Sequence, residues 1–256
     1  MTSKERLSRH YDRKYNFEAT GNVTETVKPA RYPRNRYEAF LKFFPSRFRG
    51  GDICEIGAGS GLLPQSLLQM GVAFDSYTIT EFSTSRLDGM QRNLSDPRIR
   101  VIHLDADDFD PEALPRFDAV VMIALIEHLV DPLGAMQRVR RLLKPGGFVY
   151  IDTPNIAKFT RRVRLLLGYF PSTASYDEGL HTFDGKPVDL YDEGHVHYFT
   201  YRALSKMVLE YCGFARVEKF GYCLGPRLFG HAIDDKLAGI WPEMFSELAL
   251  IAHAPK

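Results

Sequence analysis

The chain has 256 residues, of which 45% are hydrophobic, and this fits one globular domain with insertions or one domain plus a small cap. No apolar run approaches the length of about 18 residues that a membrane-spanning helix needs, and the polar first ten residues carry no evident secretory signal. The three cysteines show no Cys-x-x-Cys spacing, so we expect a cytoplasmic protein without a structural zinc site.

The net charge of +1 is unevenly distributed. Residues 1–50 hold 12 Lys and Arg against 5 Asp and Glu. A basic N-terminal segment could face an anionic substrate such as a nucleotide-sugar or a lipid phosphate. A solvated surface helix explains the same charges equally well, so both interpretations stay open.

Strand and helix patterns alternate along most of the chain. In chain order we predict a helix over 34–44, a strand over 53–56, a helix over 62–70, a strand over 74–79, a helix from Ser83 to about 94, strands over 99–104 and 117–125, a helix from Asp131-Pro132 to about 143, and a strand over 148–152. Helices over 158–167 and 200–211 and strands over 214–220 and 248–253 follow. This alternation predicts an α/β fold with a doubly wound, mostly parallel sheet, interrupted by insertions at about 156–197 and 221–247.

A glycine-rich turn follows the first predicted strand, in the run Glu55-Ile56-Gly57-Ala58-Gly59-Ser60-Gly61. Glycine at every second position lets the backbone approach a bound nucleoside closely. The dinucleotide fingerprint would need glycine at Leu62, which disfavours a nicotinamide-dependent oxidoreductase. The Gly-Lys-Ser/Thr of a phosphate-binding loop is also absent. A glycine-rich turn in another kind of α/β domain remains an alternative.

The motif Glu55-x-Gly57-x-Gly59-x-Gly61 resembles the first motif of class I S-adenosylmethionine-dependent methyltransferases. Three later blocks resemble the ubiquinone-biosynthesis type: Leu125 to Pro132 with its Glu-His pair, Leu142 to Gly147, and Asp152-Thr153-Pro154-Asn155. The block Gly194 to Thr200 resembles methyltransferases of polysaccharide or glycolipid clusters.

The resemblance implies a seven-stranded Rossmann-like sheet whose last strand is antiparallel, with the cofactor at the carboxyl ends of strands 1, 2 and 3. We therefore divide the chain into a helical N-terminal lid segment, 1–45, and a methyltransferase domain, 46–256, whose two insertions form a cap.

The resemblance also implies cofactor-binding residues. The methionine end would lie against the glycine-rich turn, the ribose would donate to an acid after strand 2, and the adenine would meet the residues after strand 3. The expected residues are Glu55, Gly57, Ala58, Gly59, Gly61, Glu81, Asp105 (with Asp107 as the alternative) and Ala106. Ile123 would end strand 4 beside the transferred methyl group.

An acceptor hydroxyl must lose its proton during methyl transfer, and histidine is the commonest base near neutral pH. The catalytic candidates are His128 with its neighbour Glu127, and His195 and His197, which would share a face if the backbone is extended. We place His128 first. Ala124 stands where some ubiquinone-type relatives have a further acid, so we predict no metal.

The expected acceptor is a hydroxyl of a small molecule, a sugar or a lipid-linked saccharide, possibly anionic. The cationic, amphipathic segment 158–167 predicts a phosphate-gripping lid, a peripheral membrane contact or simply a solvated cap helix. A nitrogen or carbon acceptor and a non-catalytic cofactor-binding scaffold stay open. Nucleic acid is disfavoured, because no Asn/Asp-Pro-Pro-Tyr/Phe motif follows strand 4 and the overall charge is near zero.

Overall fold

The structure is a computed structural model that describes residues 26–175, 177–182, 185–188, 190–224 and 228–256. Most of the predicted N-terminal lid, residues 1–25, lies outside these ranges. Among the described residues, no helix combines the length and the apolar character needed to cross a membrane.

Seven strands form one sheet in the order β3-β2-β1-β4-β5-β7-β6. Only β7 runs antiparallel to its neighbours β5 and β6, which confirms the predicted sheet. The strands are β1 (Asp52–Ile56), β2 (Ser76–Glu81), β3 (Ile99–His103), β4 (Phe117–Ile123), β5 (Leu143–Thr153), β6 (Arg216–Phe220) and β7 (Leu248–His253). The central strands are buried along nearly their whole length, as strands covered on both faces are.

Helices cover both faces of the sheet and enclose two apolar clusters, one on each side. The helices are α1 (Arg36–Phe43), α2 (Leu62–Gln69), α3 (Thr84–Asn93), α4 (Pro132–Leu142), α5 (Phe159–Leu166), α6 (Tyr201–Lys206), α7 (His231–Ile240) and α8 (Pro242–Phe245). Asp131 caps α4 by accepting from Gly134 N at 2.9 Å, as predicted. Ser83 occupies the predicted N-cap of α3, but its side chain makes no capping bond there.

Several element boundaries differ from the sequence prediction, including the second strand, which spans Ser76–Glu81 rather than 74–79. The fourth strand ends at Ile123 rather than Leu125, because Ala124 has a φ of +50° and a single helical turn, Ile126–His128, follows. The fifth strand begins at Leu143 rather than Phe148, because Leu143 already pairs with Phe117 of β4. The register then shifts over the Pro-Gly-Gly turn before Phe148 pairs with Ala119. Beyond Lys206 the predicted helix continues in π-helical form over Met207–Tyr211.

The register brings several strand ends to one edge of the sheet. Ile56 pairs with Thr80 on β2 and with Met122 on β4, and Ile123 pairs with Asp152 on β5. The loops that follow β1, β2, β4 and β5 therefore meet at this carboxyl edge. In open α/β sheets this is the edge where ligands bind.

Candidate active site

The glycine-rich turn forms a tight backbone cradle at the end of β1. Gly57 N and Ala58 N donate to Thr80 O at 2.9 and 3.1 Å, and this fixes the turn against β2. Gly57, Gly59 and Gly61 all have positive φ values, +71°, +61° and +72°. A Cβ on Gly57 would lie 2.9 Å from Leu125, and one on Gly61 would lie 2.9 Å from the Met90 sulfur. The positive φ values favour glycine at all three positions, and a Cβ on Gly57 or Gly61 would also have to displace the Leu125 or Met90 side chain.

Glu81 ties the cradle to the end of β2. Its carboxylate accepts from Gly59 N at 2.8 Å, from Phe82 N at 2.9 Å and from Ser83 N at 3.0 Å. Each carboxylate oxygen has two lone pairs, so three amide donors leave room for further donors such as ribose hydroxyls. Glu81 thus ends β2, where the ribose contact is predicted, and it also holds the loop, a structural role that the sequence did not predict.

Glu55 is buried in β1, two residues before the first glycine of the cradle. Its carboxyl accepts a hydrogen bond from the Tyr77 hydroxyl at 2.7 Å. Burial raises the pKa of Glu55 to about 8, with the nearby charge of Glu81 adding to the shift. A buried carboxyl with a raised pKa next to the glycine cradle fits a cofactor whose amino-acid end carries an ammonium.

Cofactor binding is expected to release protons through Glu55. A carboxyl whose pKa is raised to about 8 holds its proton at pH 7, whereas a bound ammonium favours the ionised form. We therefore expect binding at pH 7 to release most of one proton, and the affinity to increase as the pH rises towards 8. Calorimetry with S-adenosylhomocysteine in buffers of different ionisation enthalpy measures this release. Equal release by Glu55→Gln would assign the proton to another group.

The residues after β3 divide into two roles. Both carboxylate oxygens of Asp107 accept from the loop before α4, from Val130 N at 3.0 Å and Asp131 N at 2.9 Å. Asp105 Oδ1 accepts from Asp107 N at 3.0 Å. Asp107 therefore holds that loop, and Asp105 stays the residue predicted to meet the adenine, with half-buried Ala106 beside it.

The Glu-His pair lies just beyond the end of β4. Glu127 is 1% exposed, and its Oε2 accepts from the Thr153 hydroxyl at 2.8 Å. Its backbone carbonyl accepts from Val196 N and His197 N at 3.0 and 3.1 Å. Ala124, with its left-handed φ, precedes the pair, and such backbone strain is concentrated at functional sites.

Two of the three candidate histidines meet. The rings of His128 and His195 lie edge to face with their centroids 4.6 Å apart. His197 instead lies outside this pair, with its Nε2 3.3 Å from Val130 O. The face that His195 and His197 were expected to share is therefore not a shared site, because the two side chains contact different loops.

Sequence reasoning missed the residues that hold this cluster. Asp192 is completely buried and accepts from Thr173, whose hydroxyl lies 2.6 Å from His195 Nδ1.

A second network that the sequence did not predict surrounds Asp152. Arg36 of α1 donates to Asp152 at 2.7 Å, and the Tyr222 hydroxyl donates to the other oxygen of the same carboxylate at 2.5 Å. Burial raises the pKa of Asp152 to about 7, although Arg36 opposes that shift. None of these contacts has a local sequence signal, since Arg36 and Asp152 are 116 residues apart.

The known proteins whose sequences resemble this chain are methyltransferases. The sequence model of a family described as a methyltransferase domain matches residues 30–219. The ubiquinone biosynthesis O-methyltransferase of Xanthomonas oryzae pv. oryzae (strain PXO99A) is 29% identical over 109 residues, which are 41% of this chain and 44% of that protein. That of Alkalilimnicola ehrlichii is 30% identical over 108 residues, 41% of this chain and 42% of the relative. The match thus spans less than half the length of these curated relatives.

Solved structures share the fold at low sequence identity. A Haloferax volcanii methyltransferase, solved in complex with the Trm112 methyltransferase activator, superposes with a TM-score of 0.60 at 13% identity, covering 100% of this chain and 99% of that one. An S-adenosylmethionine-dependent methyltransferase from Archaeoglobus fulgidus gives a TM-score of 0.54 at 14% identity, covering 85% and 92%. The family match, the seven-stranded sheet and the glycine cradle agree on S-adenosylmethionine as the cofactor. The chain belongs to the methyltransferase-domain family, within the class I S-adenosylmethionine-dependent methyltransferases.

Proposed function

We propose that this protein transfers a methyl group to a hydroxyl oxygen of a small molecule, a sugar or a lipid-linked saccharide. The observation that carries the proposal is the pairing of His128 with His195 at the carboxyl edge, next to the glycine cradle. Leu125 shows that the glycine cradle and the histidine pair are close, because it packs against Gly57 and lies three residues before His128. The bound cofactor supplies an electrophilic methyl group on a sulfonium.

The chain's own residues hold the cofactor and prepare the acceptor. Glu55 would face the ammonium, Glu81 the ribose and Asp105 the adenine, while Ile123 ends β4 beside the transfer position. One imidazole of the histidine pair accepts the acceptor's hydroxyl proton through its Nε2. Most of the rate enhancement would come from positioning the two reactants in line.

We infer that the two insertions form a cap over this edge. The first insertion contacts the Glu-His pair through its backbone, since Gly194 O lies 3.2 Å from His128 Nδ1. It contacts the second insertion through Lys158, whose Nζ donates to Leu224 O at 2.6 Å. These contacts support a cap that encloses the acceptor and therefore selects it.

Substitution of the histidine pair tests the proposed base. We expect His128→Gln to lower kcat by about 100-fold or more, since general base catalysis contributes on that scale, with cofactor affinity nearly unchanged. His195→Gln should have a smaller effect of the same kind. Formation of S-adenosylhomocysteine with sugars, nucleotide-sugars and lipid-linked saccharides measures turnover. Full turnover by the double variant would exclude both histidines as the base.

The alternative functions predict other results when S-adenosylhomocysteine formation is measured. A nitrogen or carbon acceptor would give product with amines or activated carbon acids and none with hydroxyl compounds. A non-catalytic scaffold would bind the cofactor and give no turnover with any acceptor.

A peripheral membrane contact is proposed for the exposed face of α5. None of its residues is buried, and Leu165 and Leu166 are 63% and 84% exposed. Lys158 and Arg161 do not grip an external phosphate here, because both are paired with Glu247. Arg162 is the exposed basic residue of this helix, and its Nε donates to Ala157 O at 2.5 Å, while Arg164 is only half-exposed and its Nε is buried.

Vesicle co-sedimentation tests this contact. Leu166→Glu is expected to reduce binding to phosphatidylglycerol vesicles severalfold, because it places a charge on the apolar face. Leu209→Glu, at an exposed leucine of the segment after α6, serves as the control and should bind like the wild type. Equal binding by all three proteins would contradict the membrane contact.

A further inference from the structure

We propose that Glu127, His128 and His195 form a binding site for a divalent transition-metal ion. Each side chain offers one ligand atom, and these atoms all lie within 4.8 Å of one another. The proposal rests on the proposed function only in placing the ion beside the methyl acceptor. Metal binding itself needs neither cofactor nor acceptor.

The hydrogen bond of His128 fixes which of its nitrogens can bind a metal. Its Nδ1 lies 3.2 Å from the carbonyl oxygen of Gly194. A carbonyl can only accept, so Nδ1 carries the proton and the neutral ring has its lone pair on Nε2. Metal-binding histidines usually donate their second nitrogen to a backbone carbonyl or a carboxylate in this way.

His195 is oriented by a relay that ends on a buried acid. The Thr173 hydroxyl donates to Asp192 Oδ2 at 3.0 Å, so its oxygen accepts from His195 Nδ1 at 2.6 Å. This again leaves the lone pair on Nε2. Asp192 is itself fixed by donors from Thr173 N, Ala174 N and the Tyr198 hydroxyl. The relay therefore presets the tautomer and the ring orientation of His195.

Glu127 provides an independent sign of a missing ligand. It is 1% exposed, and its Oε1 has no hydrogen-bond partner, while Oε2 is bonded to Thr153. Arg36 Nη1 is 3.9 Å from Oε1, beyond hydrogen-bond distance, and makes its short contact to Asp152 at 2.7 Å. A buried carboxylate oxygen without a donor is costly, and a cation would satisfy it.

Two imidazole nitrogens and one carboxylate oxygen indicate the class of metal. This donor set suits Zn²⁺, Fe²⁺ or Co²⁺ better than Mg²⁺ or Ca²⁺, which prefer oxygen ligands. Tetrahedral bonds of about 2.1 Å place ligand atoms about 3.4 Å apart, so ion binding requires the three side chains to rotate towards one another by up to about 1.4 Å. Three protein ligands leave positions open for water or for an oxygen atom of the acceptor. Because a bound ion would occupy Nε2 of both histidines, neither imidazole would be the base in the metal-bound protein, and the ion would instead lower the pKa of the acceptor hydroxyl.

The site differs from the sequence prediction of no metal. That prediction rested on the spacing of the cysteines and on position 124, where the chain has alanine instead of an acid. The fold instead brings in His195 from the first insertion, across 67 residues of sequence. Its approach depends on the cap, so no local spacing could indicate it.

Cobalt binding to the untagged 256-residue protein tests the proposal. One equivalent of Co²⁺ should give the visible absorption bands of imidazole ligation, in the absence of cofactor and acceptor. We expect His195→Gln and Glu127→Gln each to weaken Co²⁺ binding at least about tenfold, and Thr173→Val to weaken it by about 10- to 100-fold through the lost orientation of His195. His253→Gln, at the distant β7 edge, should retain the bands.

Two results would overturn the site. The first is the absence of Co²⁺ bands in folded wild-type protein, and the second is an unchanged spectrum and affinity in both His195→Gln and Glu127→Gln. Thermal melts of each variant establish that it is folded. Because the readout is metal absorption, a protein that binds Co²⁺ and methylates no acceptor would refute the proposed function while leaving the metal site intact.

Discussion

Replacement of Glu81 by alanine is expected to weaken S-adenosylmethionine binding by roughly 30- to 700-fold. The charged acceptor would lose its hydrogen bonds to the ribose, a loss of about 2–4 kcal/mol. It would also release Gly59 N, Phe82 N and Ser83 N, whose bonds to Glu81 shape the cradle. Calorimetric titration with the cofactor measures the change in affinity.

Two variants separate the ribose contact from the loop contact. Glu81→Gln keeps one carbonyl acceptor for the backbone and should retain most of the stability while losing affinity. Glu112→Ala removes an exposed acid paired with Arg141 and should change neither property. Wild-type affinity in a folded Glu81→Ala protein would refute the ribose assignment.

The second large effect is expected at Glu247, where substitution by leucine should destabilise the protein by about 3–5 kcal/mol. Glu247 accepts from Lys158 Nζ at 3.0 Å and from Arg161 Nη1 at 2.8 Å, and its Oε2 also accepts from Asn155 N at 3.1 Å. All three side chains are largely buried, so leucine would leave two cations without their partner. Urea denaturation monitored by circular dichroism measures the loss.

The pH dependence of this loss follows from the pKa of Glu247. Burial alone would raise that pKa, but Arg161 and Lys158 together hold it well below its usual range. A depressed pKa contributes stability above the unfolded value of about 4.3, and this stability disappears as the pH falls through the folded value. The difference in unfolding free energy between wild type and Glu247→Leu should therefore shrink in acid.

Matched variants identify the ion cluster as the cause. Adding Lys158→Met and Arg161→Met to Glu247→Leu removes the unpaired cations and should recover part of the lost stability. Glu243→Ala, at a more exposed pair with Lys219, should cost less than about 1 kcal/mol. A Glu247→Leu protein as stable as the wild type at neutral pH would contradict the account of the cluster.

The fold could be predicted largely from local patterns. The strands are visible as short apolar runs, because burial restricts their residues to apolar types. The cradle is visible as glycines after the first strand, because positive φ favours glycine. The boundaries that were wrong depend on backbone geometry with no residue signature. Ala124 takes a left-handed φ that its side chain does not favour, and the Pro-Gly-Gly turn joins β5 as a bulge.

The candidate site could be predicted only in part. Glu55 and Glu81 lie at the carboxyl ends of β1 and β2, and Asp105 follows β3, so parallel-sheet geometry places them at one edge. The partners of His195 could not be predicted, since Asp192 and Thr173 lie in an irregular insertion where no periodicity relates sequence to contact. Arg36 was similarly one of many basic residues near the N-terminus, and its burial against Asp152 is a tertiary effect.

Calorimetric titration with S-adenosylmethionine, S-adenosylhomocysteine and NADH tests the central claim most directly. The account predicts micromolar binding of both adenosyl compounds and no binding of NADH, with both affinities reduced in Glu81→Ala. NADH binding, or a folded protein that binds neither adenosyl compound, would contradict the assignment of the glycine cradle to S-adenosylmethionine.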